Sequence, residues 1–401
     1  MKFSLVSSCV ALVVMTLAVD AAPSGGKKLS IPLSKNDNYQ PDIKRALAKV
    51  RAKYGKHIIN PLHGVPGNAT TDGGNTADGT GSVPVTDYQN DIEYYGIVKV
   101  GTPAQSLKID FDTGSSDFWF ASTLCSSCTA HTRYDSKKSS TYAADGRPWS
   151  IRYADGSTAS GVLAKDTVNV GGLVIKGQTI NLAKTLSSSF ASGPVDGLMG
   201  LGFDTITTVA GIKTPVDNLI SQGVISSPVF GVWLGKAGNG GGGEYLFGGS
   251  NPNHYTGPLT TVPVDSSQGW YSITVDGLSI ADSPVSNSFT GILDTGTTLL
   301  LLPQTIADQV ASQYGASDNG DGTYLISCDT TYLQPLVFSI NGAQFEVPAD
   351  SLIFQQSGSY CFAGFGYSPG IDFAIIGDVF LKNNYVVFNQ KVPQVQIAKA
   401  R

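Results

Sequence analysis

A mostly β protein built as two related lobes is the fold class this sequence predicts. Three observations carry that expectation. Many short apolar runs lie between Gly, Ser, Asn and Pro, in a 401-residue chain with 47 Gly, 20 Pro and only 14% charged residues. The stretch Phe111-Asp112-Thr113-Gly114-Ser115-Ser116 recurs 182 positions later as Leu293-Asp294-Thr295-Gly296-Thr297-Thr298. Each copy is followed at a similar distance by an apolar-apolar-Gly core. Leu198-Met199-Gly200 places its Gly 88 residues after Asp112, and Ile375-Ile376-Gly377 places its Gly 83 residues after Asp294.

The repeated Asp-Thr-Gly points to chemistry. Leu107, Ile109 and Phe111 alternate with polar neighbours as in a half-buried strand, and Ile292 and Leu293 play that part before the second copy. A carboxylate at the end of a buried strand is costly. Two such sites in one chain suggest two carboxylates brought together. At a few ångströms they cannot both ionise, so they share one proton and act as base and acid at the same pH. That machinery suits direct attack of water on an amide. Gly114 and Gly296 permit a tight turn and close backbone approach. The hydroxyls of Thr113, Ser115, Thr295 and Thr297 can fix the geometry of Asp112 and Asp294. A lone Asp-Thr-Gly would read as a plain turn; two in matching contexts do not.

On these residues the sequence resembles the pepsin-like aspartic proteases, fungal secreted type, over nearly the whole chain. The resemblance implies a bilobal fold of two β-barrel-like lobes with the active-site cleft between them. It implies an aspartic endopeptidase that needs no cofactor or metal, takes protein or peptide substrates, is inhibited by its own propeptide and by statine-type compounds, and acts as a monomer. Catalysis falls to Asp112 and Asp294, with Gly114, Gly296 and Thr297 near substrate. Trp119, seven residues after Asp112, matches the Trp that the flap Tyr contacts.

In chain order, residues 1–21 read as a secretory signal: Lys2, an apolar run from Val10 to Val19, and a small-residue cleavage site at Val19-Asp20-Ala21. The competing reading is a membrane anchor, but the run is short and no second spanning run follows. Export to the outside is expected, with a vacuolar enzyme of the same chemistry as the alternative. Residues 22–83 read as a propeptide and activation linker. A helix starting at Pro41 and stopped by Gly55 places Ile43, Leu47, Val50 and Tyr54 on one face, with Lys44, Arg45, Lys49, Arg51 and Lys53 around the rest. By resemblance a propeptide Lys meets the catalytic carboxylates; Lys35 and the 53–56 region are the candidates. Residues 66–83 are rich in Gly, Thr, Asp and Asn, a flexible linker open to proteolysis. The mature enzyme is expected to begin near Ser82 to Pro84, with an N-terminal lobe over 84–258 and a C-terminal lobe over 259–401. The glycosylation triplet Asn68-Ala69-Thr70 lies in the disposable part.

Residues 94–103 read as a strand ending in a turn. Cys125 and Cys128 match a small disulfide loop of the family, and Cys328 pairs with Cys361 in the same resemblance. The spacing of Cys125 and Cys128 also suits redox or zinc chemistry, without a thioredoxin-like context or second ligand pair. Residues 151–161 read as a hairpin around Asp155-Gly156. By resemblance it is the flap that closes over substrate: Tyr153 is the flap Tyr, and Asp155, Gly156 and Ser157 form a tip that lets the first pocket accept Lys. Ala154 stands where Gly is usual. Leu198 and Met199 are candidate pocket walls, as are Trp270 or Tyr271. Helices are expected over 215–222, closed by Gly223, and over 303–314, with Ile306 and Val310 inward and Gly315 as the stop. Asn389 and Gln396 depart from the family pattern, away from the dyad.

Charge is unevenly placed. Residues 22–60 carry 9 Lys+Arg against Asp37 and Asp42, whereas residues 84–401 carry 16 Lys+Arg and 26 Asp+Glu. A cationic segment therefore precedes an acidic body, and no basic patch there suggests nucleic acid. The Gly240–Gly243 run lacks the Lys-Ser/Thr of a phosphate loop. The four His have no metal-ligand spacing; His131 and His254 read as surface or turn residues. No Ser-His-Asp or Cys-His set is evident. The competing class is a binding protein derived from the same fold. Such chains break a catalytic motif, and this one breaks neither.

Overall fold

The computed structural model describes residues 42–54, 79–88, 91, 93–152, 158–191 and 193–401. All of them lie within one contact unit, Tyr39–Arg401. The expected signal segment, Lys35, the Asn68 triplet and the flap residues Tyr153, Ala154, Asp155, Gly156 and Ser157 fall outside the described residues.

The helix α1 (Ile43–Tyr54) forms where the apolar spacing predicts it. Ile43, Leu47, Val50 and Tyr54 are all buried, packed with Trp270, Ile292, Leu299, Leu301, Ile371 and Ile375. Strands then follow in close succession: β1 (Gly81–Tyr88), β2 (Glu93–Val100), β3 (Gln105–Asp112), β4 (Phe118–Ala121), β5 (Ala143–Arg152), β6 (Thr158–Val170) and β7 (Leu173–Leu186). After the short α2 (Ser188–Ala191) come β8 (Gly197–Gly200), α3 (Pro215–Ser221), β9 (Val229–Leu234), β10 (Gly243–Phe247) and β11 (Tyr255–Pro263). A capping box at Thr214 and Asp217 starts α3, and Gly223 follows it at φ +62°.

The second half carries β12 (Ser272–Val275), β13 (Gly277–Ile280), β14 (Ser283–Ser286), β15 (Phe289–Leu293), β16 (Leu300–Leu301), α4 (Gln304–Tyr314), β17 (Ser317–Asp318) and β18 (Thr323–Ser327). It ends with β19 (Leu336–Ile340), β20 (Ala343–Val347), β21 (Ile353–Ser357), β22 (Tyr360–Gly366), β23 (Ala374–Ile376), α5 (Asp378–Leu381), β24 (Asn384–Asn389) and β25 (Gln394–Ala400). In α4 the inward residues are Ala307, Val310 and Ala311, with Ile306 half-buried beside them, and Gly315 closes it at φ +64°.

Thirteen strands share one sheet in the order β11-β25-β24-β9-β10-β1-β2-β3-β8-β4-β7-β6-β5, and an added β2–β6 pairing curls its first-lobe part back on itself. The second lobe has its own sheet, β12-β15-β23-β16-β22-β18-β17 with β21 on β22, and a small sheet β14-β13-β19-β20. This is a mostly β, two-lobe architecture. The lobes are joined through β11, β24 and β25, which lie beside β9 in the large sheet; a boundary at 258/259 therefore runs through the middle of β11. Both expected disulfides are present, Cys125–Cys128 and Cys328–Cys361.

Two expectations need correction. The linker over 66–83 does not extend to its end: Gly81 to Pro84 are paired with β10, and Val83 is buried. A side chain on Gly79 would meet the Val224 carbonyl oxygen at 1.9 Å, so even this stretch is pressed against the body. His131 does close a turn, its N–H donating to the Cys128 carbonyl at 3.3 Å, but it is not at the surface: its ring is buried between Asp196 and the Phe190 carbonyl. His254 does lie at a turn, stacked on Trp233.

Candidate active site

The two halves repeat one construction. In the first, β3 runs parallel to β8, with Asp112 opposite Gly200; in the second, β15 runs parallel to β23, with Leu293 opposite Ile376. The last residues of each first strand, from Ile109 to Asp112 and from Gly291 to Leu293, are buried on both faces, as parallel pairs of this kind are. Asp112 ends β3 and Asp294 directly follows β15. The Gly of each second strand keeps its carboxylate loop in place by close approach. A side chain on Gly200 would strike the Ser116 backbone at 2.4 Å, and one on Gly377 the Thr297 carbonyl at 2.1 Å. Met199 is wholly buried in the main core and lines no cleft, whereas Leu198 packs beside Trp119.

The two loops interlock symmetrically. Thr113 Oγ1 donates to the Leu293 carbonyl at 2.8 Å, and Thr295 Oγ1 donates to the Phe111 carbonyl at 2.7 Å. The Thr113 N–H donates to Thr295 Oγ1, and the Thr295 N–H to Thr113 Oγ1, each at 3.0 Å. Each carboxylate is held by its own loop as well. Asp112 accepts from the Gly114 N–H at 2.9 Å and from Ser115 Oγ at 2.5 Å. Asp294 accepts from the Gly296 N–H at 3.1 Å and from Thr297 Oγ1. A side chain on Gly296 would lie 2.4 Å from Asp112 Oδ1, and one on Gly114 2.5 Å from Asp294 Oδ1. Only Gly lets each loop reach the other's carboxylate.

Two residues of α1 fill the space between them. Lys53 Nζ bridges Asp112 Oδ1 and Asp294 Oδ1, the latter at 2.6 Å. Tyr54 Oη donates to Asp294 Oδ2 at 2.6 Å, its ring set edge-on to Trp270 and Phe373. The Lys53 side chain is 8% exposed, Asp112 3% and Asp294 0%, so this is a charge cluster almost out of water. Of the two sequence candidates for this role, the structure places the 53–56 region there, through Lys53. Nothing in the sequence marked Tyr54 beyond its place on the apolar face.

Protonation follows from the surroundings. Burial raises Asp112 to about 6, against the pull of Lys53 and with the like charge of Asp294 adding to the rise. Burial also pushes Asp294 upward, but Lys53 and the hydrogen bonds from Asp112, Lys53 and Thr297 win, and it sits well below the ordinary carboxylate range. Burial works against the charge of Lys53, yet the two carboxylates outweigh it and raise its pKa. One carboxyl is thus favoured neutral and its neighbour ionised, the division that acid–base work requires.

Trp119 lies elsewhere. It belongs to an aromatic cluster with Trp149 and Phe190, and its buried indole N–H has no partner among the described residues. Trp270 borders the dyad region through Tyr54, whereas Tyr271 is core, its hydroxyl on the Leu201 carbonyl. The flanking strands β5 and β6 pair up to Arg152 and Thr158. Among the described residues no group of His, Cys, Asp and Glu could hold a metal, and no helix is long and apolar enough to cross a membrane.

Comparison with known proteins agrees with this geometry. The eukaryotic aspartyl protease family model matches residues 93–400. Rhizopuspepsin of Rhizopus chinensis is 64% identical over 400 residues, covering 99% of both chains. Syncephapepsin of Syncephalastrum racemosum is 58% identical over the full length of both. Gastricsin of Mus musculus is 36% identical over 77% of this chain and 81% of its own. With paired Asp-Thr-Gly loops interlocked at the lobe junction and relatives matching from end to end, the chain belongs to the eukaryotic aspartyl protease family and is an aspartic endopeptidase.

Proposed function

We propose that the chain is made as an exported, inactive precursor, and that acid converts it into an endopeptidase in which Asp112 and Asp294 activate a water. The observation that carries this reading is Lys53 Nζ lying between Asp112 Oδ1 and Asp294 Oδ1, where a water attacking a peptide carbonyl would have to sit. With Lys53 and Tyr54 gone, the pair shares one proton. The ionised carboxylate takes a proton from the water, and the neutral one hydrogen-bonds the scissile carbonyl and then serves the leaving amine.

The pH logic follows from the two carboxylates. Near neutral pH the ammonium is held by both. Below about 6, Asp112 is neutral and Lys53 and Asp294 balance each other. The folded pKa of Asp294 is depressed, so its contribution to helix docking is present above the ordinary carboxylate range and lost as pH falls through that depressed value. Lys53 pulls Asp112 the same way, downward against burial, so its hold on that carboxylate too is present while Asp112 is ionised and weakens as acid protonates it below about 6. Docking of α1 through Lys53 is therefore firmest near neutral pH and loosens as acid protonates first Asp112 and then Asp294. Since 81–84 are already strand, the maturing cut falls before Gly79, within 55–78.

Asp155 at the flap tip would offer a carboxylate to a substrate Lys in the first pocket, alongside hydrophobic residues. The test shifts precursor from pH 7 to about pH 3.5 and follows its mass and a denatured protein substrate, with and without a statine peptide. The reading expects a mass loss ending within residues 55–78, with statine-blocked cleavage only after acid and some cuts following Lys. An intact precursor and untouched substrate from pH 2 to 7 would move the assignment to a non-catalytic binding protein. For export, intact masses from culture medium should lack residues 1–21; retention inside cells would contradict it.

A further inference from the structure

The polar side of α1 does more than solvate the helix. Arg51 Nη2 donates to the main-chain carbonyl of Asp321 at 2.5 Å, and Lys44 Nζ lies 3.8 Å from Asp321 Oδ2. Asp321 sits in the tight connection between β17 and β18. Its Oδ1 is occupied, accepting from the Thr323 N–H at 3.2 Å and from Thr323 Oγ1 at 2.6 Å. Its Oδ2 points to the helix. Gly322, at φ +88°, lets α1 approach closely: a side chain there would lie 2.8 Å from Arg51 Nη2 and 3.1 Å from Leu47 Cδ2. Asp318 and Asp308 stand nearby, held by the hydroxyls of Tyr367 and Tyr324. Among the described residues no cation of the body pairs with Asp321, Asp318 or Asp308; the only cation in an ion pair with any of them is Lys44 of α1.

The place matters because of where α1 leads. Arg51 is two residues before Lys53, which spans the dyad, and Lys44 is nine before it. At 1.5 Å per residue the helix carries its cations to within about 14 Å of the carboxylates. An extended peptide covers that span in about four residues, at roughly 3.3 Å each.

We propose that Asp321 is a specificity-determining residue of the cleft. Once α1 has left, its free Oδ2 and its carbonyl receive a Lys or Arg side chain of the substrate, about three to five residues from the scissile bond. This rests on the reading that α1 is the removable segment. The helix shows the chemistry the site accepts: an apolar body against the Trp270 wall, with cations delivered to this loop.

The test uses mature wild-type enzyme and Asp321→Asn, which keeps an acceptor for Thr323 and removes the charge. Both cleave a neutral reporter peptide and a series in which a single Gln is replaced by Arg at each position up to five residues either side of the bond. At pH 5 and low salt, wild type should favour Arg over Gln by about 3- to 5-fold in kcat/KM at one position outside the first pocket, the size of an exposed ion pair. That preference should vanish in Asp321→Asn with the reporter unchanged. No Arg preference in wild type, or one that survives in Asp321→Asn, overturns the proposal. A reporter that neither enzyme cleaves instead defeats the underlying reading of the catalytic pair.

Discussion

Thr113 and Thr295 hold each other across the lobe junction, each backbone N–H donating to the other's hydroxyl at 3.0 Å. Each hydroxyl then donates onward to the carbonyl before the opposite Asp. Two N–H groups and the Leu293 carbonyl therefore depend on these two side chains, while the Phe111 carbonyl also accepts from Tyr245 Oη at 3.2 Å. Replacing either by Val keeps the shape and removes the hydroxyl, leaving an N–H without its acceptor and, in Thr113→Val, also the Leu293 carbonyl without its side-chain donor, at about 1–3 kcal/mol each. Thr113→Val should lower unfolding free energy by about 2–5 kcal/mol, and Thr295→Val by about 1–3 kcal/mol, in denaturant titration. The double variant should cost less than the sum of the two, because the pair is one network. Full additivity would show that the two loops are held independently.

Lys53 is the only cation among the described residues within hydrogen-bonding distance of the dyad. Removing its charge while keeping its length, as in Lys53→Met, leaves two buried carboxylates facing each other without a counter-charge. The apolar face of α1 remains, so the helix should still dock, but less firmly as both carboxyls ionise. The pH midpoint for conversion of the precursor should rise by at least about one unit, followed by gel or mass analysis. An unchanged midpoint would mean that the apolar face alone sets release.

A second carboxyl titrates far from the site. Asp87 at the end of β1 is raised to about 7, first by burial and then by the like charge of Asp91, against the Asp91 N–H at 2.8 Å and the pull of Lys382. A raised folded pKa stabilises the fold fully in acid, below the ordinary carboxylate value, and the stabilisation is lost as pH rises through about 7. Asp87→Asn retains an acceptor for the Asp91 N–H and cannot ionise. Its thermal midpoint relative to wild type should therefore improve steadily between pH 4 and pH 7.5. A constant difference across that range would remove Asp87 from the pH response.

Much of this site could be read from the sequence, and particular residues show why the rest could not. The repeated Asp-Thr-Gly, the second Gly strands and the buried face of α1 are local patterns with a fixed period, so they survive without knowledge of the fold. Lys53 could be narrowed but not singled out from Lys35, because helix periodicity gives a face, not the surface it meets. Tyr54 looked like one more apolar residue on that face; only docking turns its hydroxyl to Asp294. Gly81 to Val83 read as linker because Gly, Thr, Asp and Asn dominate residues 66–83, yet pairing with β10, a stretch more than 150 residues away, makes them strand. His131 is likewise buried against residues distant in sequence, Asp196 and the Phe190 carbonyl. The joining of the lobes by β24 and β25 is long-range register, which no local pattern encodes.

The central claim is that Asp112 and Asp294 act as one unit on a water. The most direct measurement is on Asp112→Asn precursor at pH 3.5, alone and with a trace of mature wild-type enzyme. Alone it should remain uncut, and its turnover of a peptide substrate should fall by more than about 100-fold. With wild type present its linker should be cut at the normal position, showing that the variant is folded and its α1 released. Self-conversion at a rate near wild type would contradict the assignment of the pair.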